Sequence, residues 1–176
     1  EYAKAFSADL KLSLPRIDFV DEVDDFWAFS KAGRELAKLH LNYEDVEAPE
    51  GLTFSGKSDI EDLLRNGDLC RVNKMRLFPE KRKLTYNQHL TIENIPEEAF
   101  EYVVNGRSAL GWIVDQYQHK KDKQSGIVND PNEYAGGEYI LKLVLSVIGV
   151  SVKTMEIVNS LPSLNLSDPK EEDTSL

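Results

Sequence analysis

Between Asn105 and Asn132 the chain reads NGRSALGWIVDQYQHKKDKQSGIVNDPN, which brings amide side chains, an arginine and lysines together with a glycine-marked loop. Asn and Gln can pair bidentately with adenine, Arg and Lys with guanine, and neighbouring lysines can hold phosphates. Arg107, Gln116, Lys120, Lys121, Lys123, Gln124 and Asn129 supply those groups. The same inventory also suits an ordinary solvated face with Trp112 packed on a neighbouring element, and composition alone favours that plainer reading.

A second basic cluster, Lys74, Arg76, Lys81, Arg82 and Lys83, falls within ten residues. On a two-stranded ribbon these cations would fit a DNA major groove. They equally fit an edge hairpin that uses lysines to block pairing with other sheets.

Other chemistries find less support. Gly51 to Ser58, GLTFSGKS, matches the phosphate-loop pattern. Such a loop needs a buried strand leading in, and the acidic, proline-containing run from Asn42 to Glu50 cannot be one. A surface turn with a chance match is the better reading. His40, His89 and His119 are scattered and lack zinc-ligand spacing, and Cys70 is alone. No serine or cysteine nucleophile has an identifiable base, so neither a catalytic site nor a cofactor is expected in this stretch of chain.

The elements that would position these residues can be read from pattern. Leu110, Ile113, Val114 and Tyr117 fall at i, i+3, i+4 and i+7, which predicts a helix over Arg107 to Gln118, after the turn signal Asn105-Gly106. Leu69 to Phe78 and Lys83 to Ile92 have strand-like composition, with Pro79 to Arg82 between them as a hairpin turn. Pro96 to Val104 reads as helical, with Pro96 in the first turn and Glu97 and Glu98 at the positive end of the dipole. A helix from Asp24 or Asp25 to about Leu41 has Phe26, Phe29, Leu36 and Leu39 as core positions. Asp59 to Leu64 suits a short helix, and Glu138 to Ser160 a long final one closed by Pro162. Asn129 to Asn132 reads as a turn. The fold class is α+β, with a small antiparallel sheet or hairpin in the middle and several helices.

Size and charge set the frame. The chain has 176 residues, enough for one domain with a core plus appended segments. Residues 1–23 read as a connector, 24–166 as the domain, and 167–176 as an acidic, disordered tail. A start at Glu1 without methionine suggests an excised or processed piece. The formal charge of -10 argues against indiscriminate polyanion binding. Its distribution is uneven: residues 1–73 carry -7, residues 74–126 carry +2 and residues 127–176 carry -5. Only the middle third could face phosphates comfortably. The single cysteine fits a reducing, cytoplasmic compartment, and the apolar stretch Ile140 to Val152 is too interrupted and short for a membrane span.

The strings DFWAFSKAGRELAKLHLNYE (Asp25 to Glu44), YNQHLTIENIPEEAFEYVVNGRSALGWIVDQYQ (Tyr86 to Gln118), SGIVNDPN (Ser125 to Asn132) and YILKLVLSVIGVSVKTMEIVNSLP (Tyr139 to Pro162) carry a resemblance. They resemble the C-terminal region of single-polypeptide Type ISP restriction-modification enzymes, often labelled DEAD/DEAH-box helicases. The resemblance implies a target recognition domain that reads a short double-stranded DNA sequence for methylation and cleavage. It also implies partners on the same polypeptide: a nuclease, a helicase-like ATPase and an adenine methyltransferase. An interaction or packing module of the same enzyme, without DNA contact, is the alternative. Strings shared by enzymes with different targets would serve as scaffold or hold phosphates, with Lys120, Lys121 and Lys123 in that role. Base readout would then fall to the Leu69 to Lys83 hairpin and the Ala48 to Ser58 loop.

Overall fold

Hydrophobic alternation and turn chemistry build a small antiparallel sheet and a long helix that contribute to one core in a computed structural model of the chain, which describes residues 20–56 and 60–163. The described residues divide into two units, 20–33 with 161–163, and Arg34–Ser160. The expected connector at 1–23 and tail at 167–176 lie largely or wholly outside the described residues.

Helix α1 spans Val23–Leu41, with Asp24 and Asp25 in its first turn and Lys38 and His40 in its last, both favourable to the helix dipole. Of its residues only Ala32 is buried. The expected core position Phe26 is instead exposed, as is Trp27, and the two rings meet edge to face at 5.4 Å. The periodicity was real, but it marks a face that the described residues cover only in part.

Within Arg34–Ser160, four strands form a sheet of order β1-β4-β3-β2: β1 (Thr53–Gly56), β2 (Arg76–Phe78), β3 (Lys83–Thr85) and β4 (Leu90–Glu93). All pairings are antiparallel, and Leu84 faces Ile92 across β3 and β4, both fully buried. Thr91 and Glu93 alternate to the more exposed side, as a half-buried strand requires. Helix α2 (Ile60–Arg65) buries Leu63.

Two strand expectations are corrected. From Leu69 to Met75 the chain has no ladder partner, and β2 begins only at Arg76. The expected strand Lys83 to Ile92 breaks into β3 and β4, because the backbone N–H groups of Tyr86 and Asn87 turn back onto the Leu90 carbonyl. Pro96 to Val104 is helical only over α3 (Glu98–Glu101). Beyond it β5 (Val103–Val104) and β6 (Arg107–Ser108) make a hairpin whose turn residues, Asn105 and Gly106, both take positive φ. Asn-Gly is the strongest short-range signal for such a turn, and it takes those residues away from the helices on either side.

Helix α4 (Ala109–Gln116) starts with Ser108 as N-cap, its hydroxyl accepting from the Gly111 N–H. The Leu110 and Val114 face is buried, and Ile113 and Tyr117 pack against the core. Strands β7 (Lys120–Lys121) and β8 (Val128–Asn129) form a third ribbon, followed by α5 (Pro131–Tyr134), so the expected turn at Asn129 to Asn132 is a helix start capped by Asp130.

Helix α6 (Gly137–Asn159) is the spine of the core: it packs against α3 and α4, and its buried Ile140, Leu141, Val144 and Ile148 share one cluster with Leu84 and Ile92 of the sheet. Gly137 packs against the Cys70 backbone so closely that a β-carbon there would overlap the Cys70 carbonyl. The buried Tyr86 hydroxyl reaches the carbonyls of both Gly137 (2.8 Å) and Cys70 (3.0 Å), tying sheet, loop and helix at one point. Burial pushes this phenol well above its ordinary pKa.

Candidate functional site

Three segments far apart in sequence enclose a polar cleft of about 580 Å³: the loop from Asp68 to Lys74, the turn Asn87 to His89, and the stretch from His119 to Asn132. Each is held by side-chain amides acting in place of a neighbouring strand. Asn87 donates to the Leu69 and Arg71 carbonyls (2.8 and 3.1 Å) and accepts from the His89 and Leu90 N–H groups (2.8 and 3.0 Å). Both donors and both acceptor sites of its amide are thereby used.

Asn132 does the same for the opposite wall. Its Oδ1 accepts from the Val72 N–H at 2.7 Å and its Nδ2 donates to the Val72 carbonyl at 2.7 Å. Asp130 holds Asn132 in turn, accepting from its backbone N–H, and pairs with Arg71 at 2.9 Å. The Asn132 N–H, then its side-chain amide and the Arg71 charge, keep the Asp130 carboxyl below the usual carboxylate range. The His119 N–H closes the third side on the Asn73 carbonyl at 3.0 Å.

This frame leaves other side chains uncommitted. Asn73, Lys74 and His119 line the cleft, and among the described residues their side chains make no hydrogen bond. Gln88 and His89 bond only each other there, with Nε2 atoms 3.0 Å apart. Behind them, Gly56 of β1 presses against the His89 carbonyl, where no β-carbon fits. The cleft therefore pairs a rigid backbone with free amide, imidazole and ammonium groups, the types that read base edges and hold phosphates.

Lys74, expected in the basic cluster, lines the cleft. Lys120, Lys121 and Asn129 lie on the β7–β8 ribbon, which leaves the cleft wall between His119 and Asp130, and Lys123 lies in its exposed loop. Asp122 shapes that loop by accepting from Gln124 and Ser125. Gln116 ends α4 and is exposed. Arg76, Lys81, Arg82 and Lys83 sit on the β2–β3 hairpin, and none of the four lines the cleft.

Several of these cations hold the chain itself together. Arg82 takes a left-handed backbone (φ 48°) and donates from Nε to the Ile95 carbonyl at 2.8 Å. The Lys83 ammonium lies 5.6 Å from the centre of the Phe78 ring. Arg107 stacks over Trp112 at 5.3 Å and meets Asp115 at 3.3 Å, while Lys120 reaches the same carboxylate at 3.1 Å. The hydrogen bond and charge of Lys120 keep Asp115 below the usual carboxylate range. By contrast, Lys74, Arg76, Lys81, Lys121 and Lys123 form no ion pair among the described residues.

Asn73, Gln88, His89 and His119 escaped the sequence reading as members of one site. The available signal was the Asn-Gln-His run between two strands, where an Asn at a tight turn projects the next two side chains. The Gly51 to Ser58 match is no phosphate loop: Thr53 to Gly56 is extended strand paired to β4, and Lys57 and Ser58 lie outside the described residues. Among the described residues no group of three or more His, Cys, Asp or Glu could hold a metal ion, and no helix is long and apolar enough to cross a membrane.

A family model described as the Type ISP C-terminal specificity domain matches residues 1–143. The chain belongs to the Type ISP specificity-domain family. Among solved structures, this Type ISP domain is similar to part of the ATP-dependent Type ISP restriction-modification enzyme LlaBIII bound to DNA, at 44% identity and TM-score 0.76 over 94% of the chain. It is likewise similar to part of a nuclease-deletion mutant of the Type ISP enzyme LlaGI in complex with a DNA substrate mimic, at 43% identity and TM-score 0.75 over 95%. A DrdV–DNA complex matches at 25% identity and TM-score 0.68 over 94%. The Type ISP domain spans only 10%, 15% and 17% of those three chains. No curated protein matches it.

Proposed function

We propose that this Type ISP specificity domain recognises a short sequence in double-stranded DNA and directs the methyltransferase and helicase-like parts of a longer cytoplasmic restriction-modification polypeptide. The cleft carries the reading: its walls are clamped by Asn87 and Asn132, while Asn73, Lys74, Gln88, His89 and His119 remain free to meet a ligand. Similarity to enzymes solved with DNA supports it. Lys74, Arg76, Lys81, Lys121 and Lys123 serve as phosphate contacts, and the internally bound Arg82, Lys83, Arg107 and Lys120 as scaffold. Local cations of this kind can bind DNA despite a charge of -10, because phosphate contacts act within a Debye length of about 10 Å.

The test is duplex binding by the full-length protein across a salt series. A linear fall of log affinity with log salt is expected, steepening with each phosphate neutralised. Absence of duplex binding would sink the reading. A role in packing against other parts of the polypeptide has its own observation, the exposed Val23, Phe26 and Trp27 on the first turns of α1. That surface is distinct from the cleft in sequence, and replacement of Trp27 would disturb assembly without changing base preference.

A further inference from the structure

We infer that Gln88, oriented by His89, is a specificity-determining residue that reads one adenine in the target. This inference rests on the DNA reading above and names the group that would carry selectivity within it.

The argument begins with rigidity. A base-reading side chain discriminates only if its backbone cannot shift to accept a different base. Asn87, immediately before Gln88, uses its whole amide on four backbone groups. Gly56 closes the rear of the turn, since even a β-carbon there would collide with the His89 carbonyl. The turn is thus fixed from within and from behind.

The second step is chemical polarity. Gln88 Nε2 can only donate, so across the 3.0 Å contact the His89 Nε2 accepts. The contact holds the Gln88 amide against the ring in either tautomer: a flipped amide would accept from a protonated His89 Nε2 instead, and in both arrangements Gln88 keeps a free N–H and a free lone pair on Oε1. One N–H and the Oε1 of Gln88 are left exposed, with no other partner among the described residues. A donor and an acceptor side by side match adenine N7 and its N6 amino group in the major groove, and no other base presents that pair. Asn73 also lines the cleft, but the imidazole contact that orients an amide belongs to Gln88.

The experiment is selection of bound sites from a randomised duplex pool by the full-length protein, comparing the native sequence with Gln88→Ala, Gln88→Glu and His89→Ala. The native protein is expected to enrich a site with adenine at one position that Gln88→Ala relaxes by about 10- to 100-fold, other positions being kept. Gln88→Glu is expected to move that position to cytosine, whose amino group a carboxylate accepts. His89→Ala should loosen the same position alone, which a merely structural role would not do. An unchanged consensus for Gln88→Ala, or an even loss at all positions, overturns the assignment while leaving DNA recognition standing. A native protein that enriches no sequence overturns DNA recognition itself, and this inference with it.

Discussion

Asn132 grips Val72 by both backbone groups, donating to its carbonyl and accepting from its N–H at 2.7 Å each, across sixty residues of sequence. The pair does the work of a strand ladder with one side chain. Asn132→Ala strips two partners from a buried residue's backbone, and should cost about 1–3 kcal/mol per orphaned group that water cannot reach. Urea unfolding together with faster hydrogen exchange at the Val72 amide would show it. Unchanged exchange there would mean that the grip is dispensable.

The same wall should be acid-sensitive. The Asn132 N–H and Arg71 hold Asp130 below its ordinary pKa. A carboxyl depressed by folding contributes stability that is complete above the unfolded value of about 3.9 and is lost as pH falls through the folded value. Asp130→Asn is therefore expected to flatten the decline of stability below about pH 4. Thermal melts across that range provide the measurement, and parallel curves for the two proteins would argue against it.

The lysines should separate by their existing partners. Lys121→Ala and Lys123→Ala together are expected to weaken duplex binding evenly across sequences and to lower the salt slope by about one unit per lost phosphate contact. Lys120→Ala should do less to binding and more to the ribbon, since its ammonium already sits on Asp115. Equal effects from all three would place Lys120 on DNA as well.

The hairpin cations divide likewise. Arg82→Ala should destabilise the fold by about 1–3 kcal/mol, having lost a charged hydrogen bond to the Ile95 carbonyl. Lys81→Ala should leave unfolding unchanged and reduce duplex affinity alone. Paired unfolding and binding curves distinguish them. A triple replacement of Lys81, Arg82 and Lys83 would mix the two effects.

Where the chain's periodicity is local, it was legible. The Leu110 and Val114 face, the long apolar helix beginning near Glu138 and the Asn105-Gly106 turn each announce themselves within a few residues. The strand expected over Leu69 to Phe78 forms only from Arg76, because the apolar residues before it enter the core without a ladder, the backbone there satisfied by Asn87 and Asn132. No window of sequence contains both halves of those contacts. The cleft was hidden for the same reason: Gln88 and His89 look like any polar turn until Asn87 is seen to fix them. The basic clusters were visible as charge, yet only three-dimensional contacts divide Arg82 and Arg107, bound within the chain, from Lys81 and Lys121.

Asn87 also shapes how such a protein can change over generations. With every polar atom of its amide turned toward the backbone, it isolates the two side chains that follow from the stability of the fold. With Gln88 as the base reader inferred above, substitutions at positions 88 and 89 would accumulate with little penalty to folding, and a lineage would drift to a new target by altering the tip of one turn. Residues 72, 87 and 132 would meanwhile stay under constraint, and variety would be concentrated where the molecule meets its ligand.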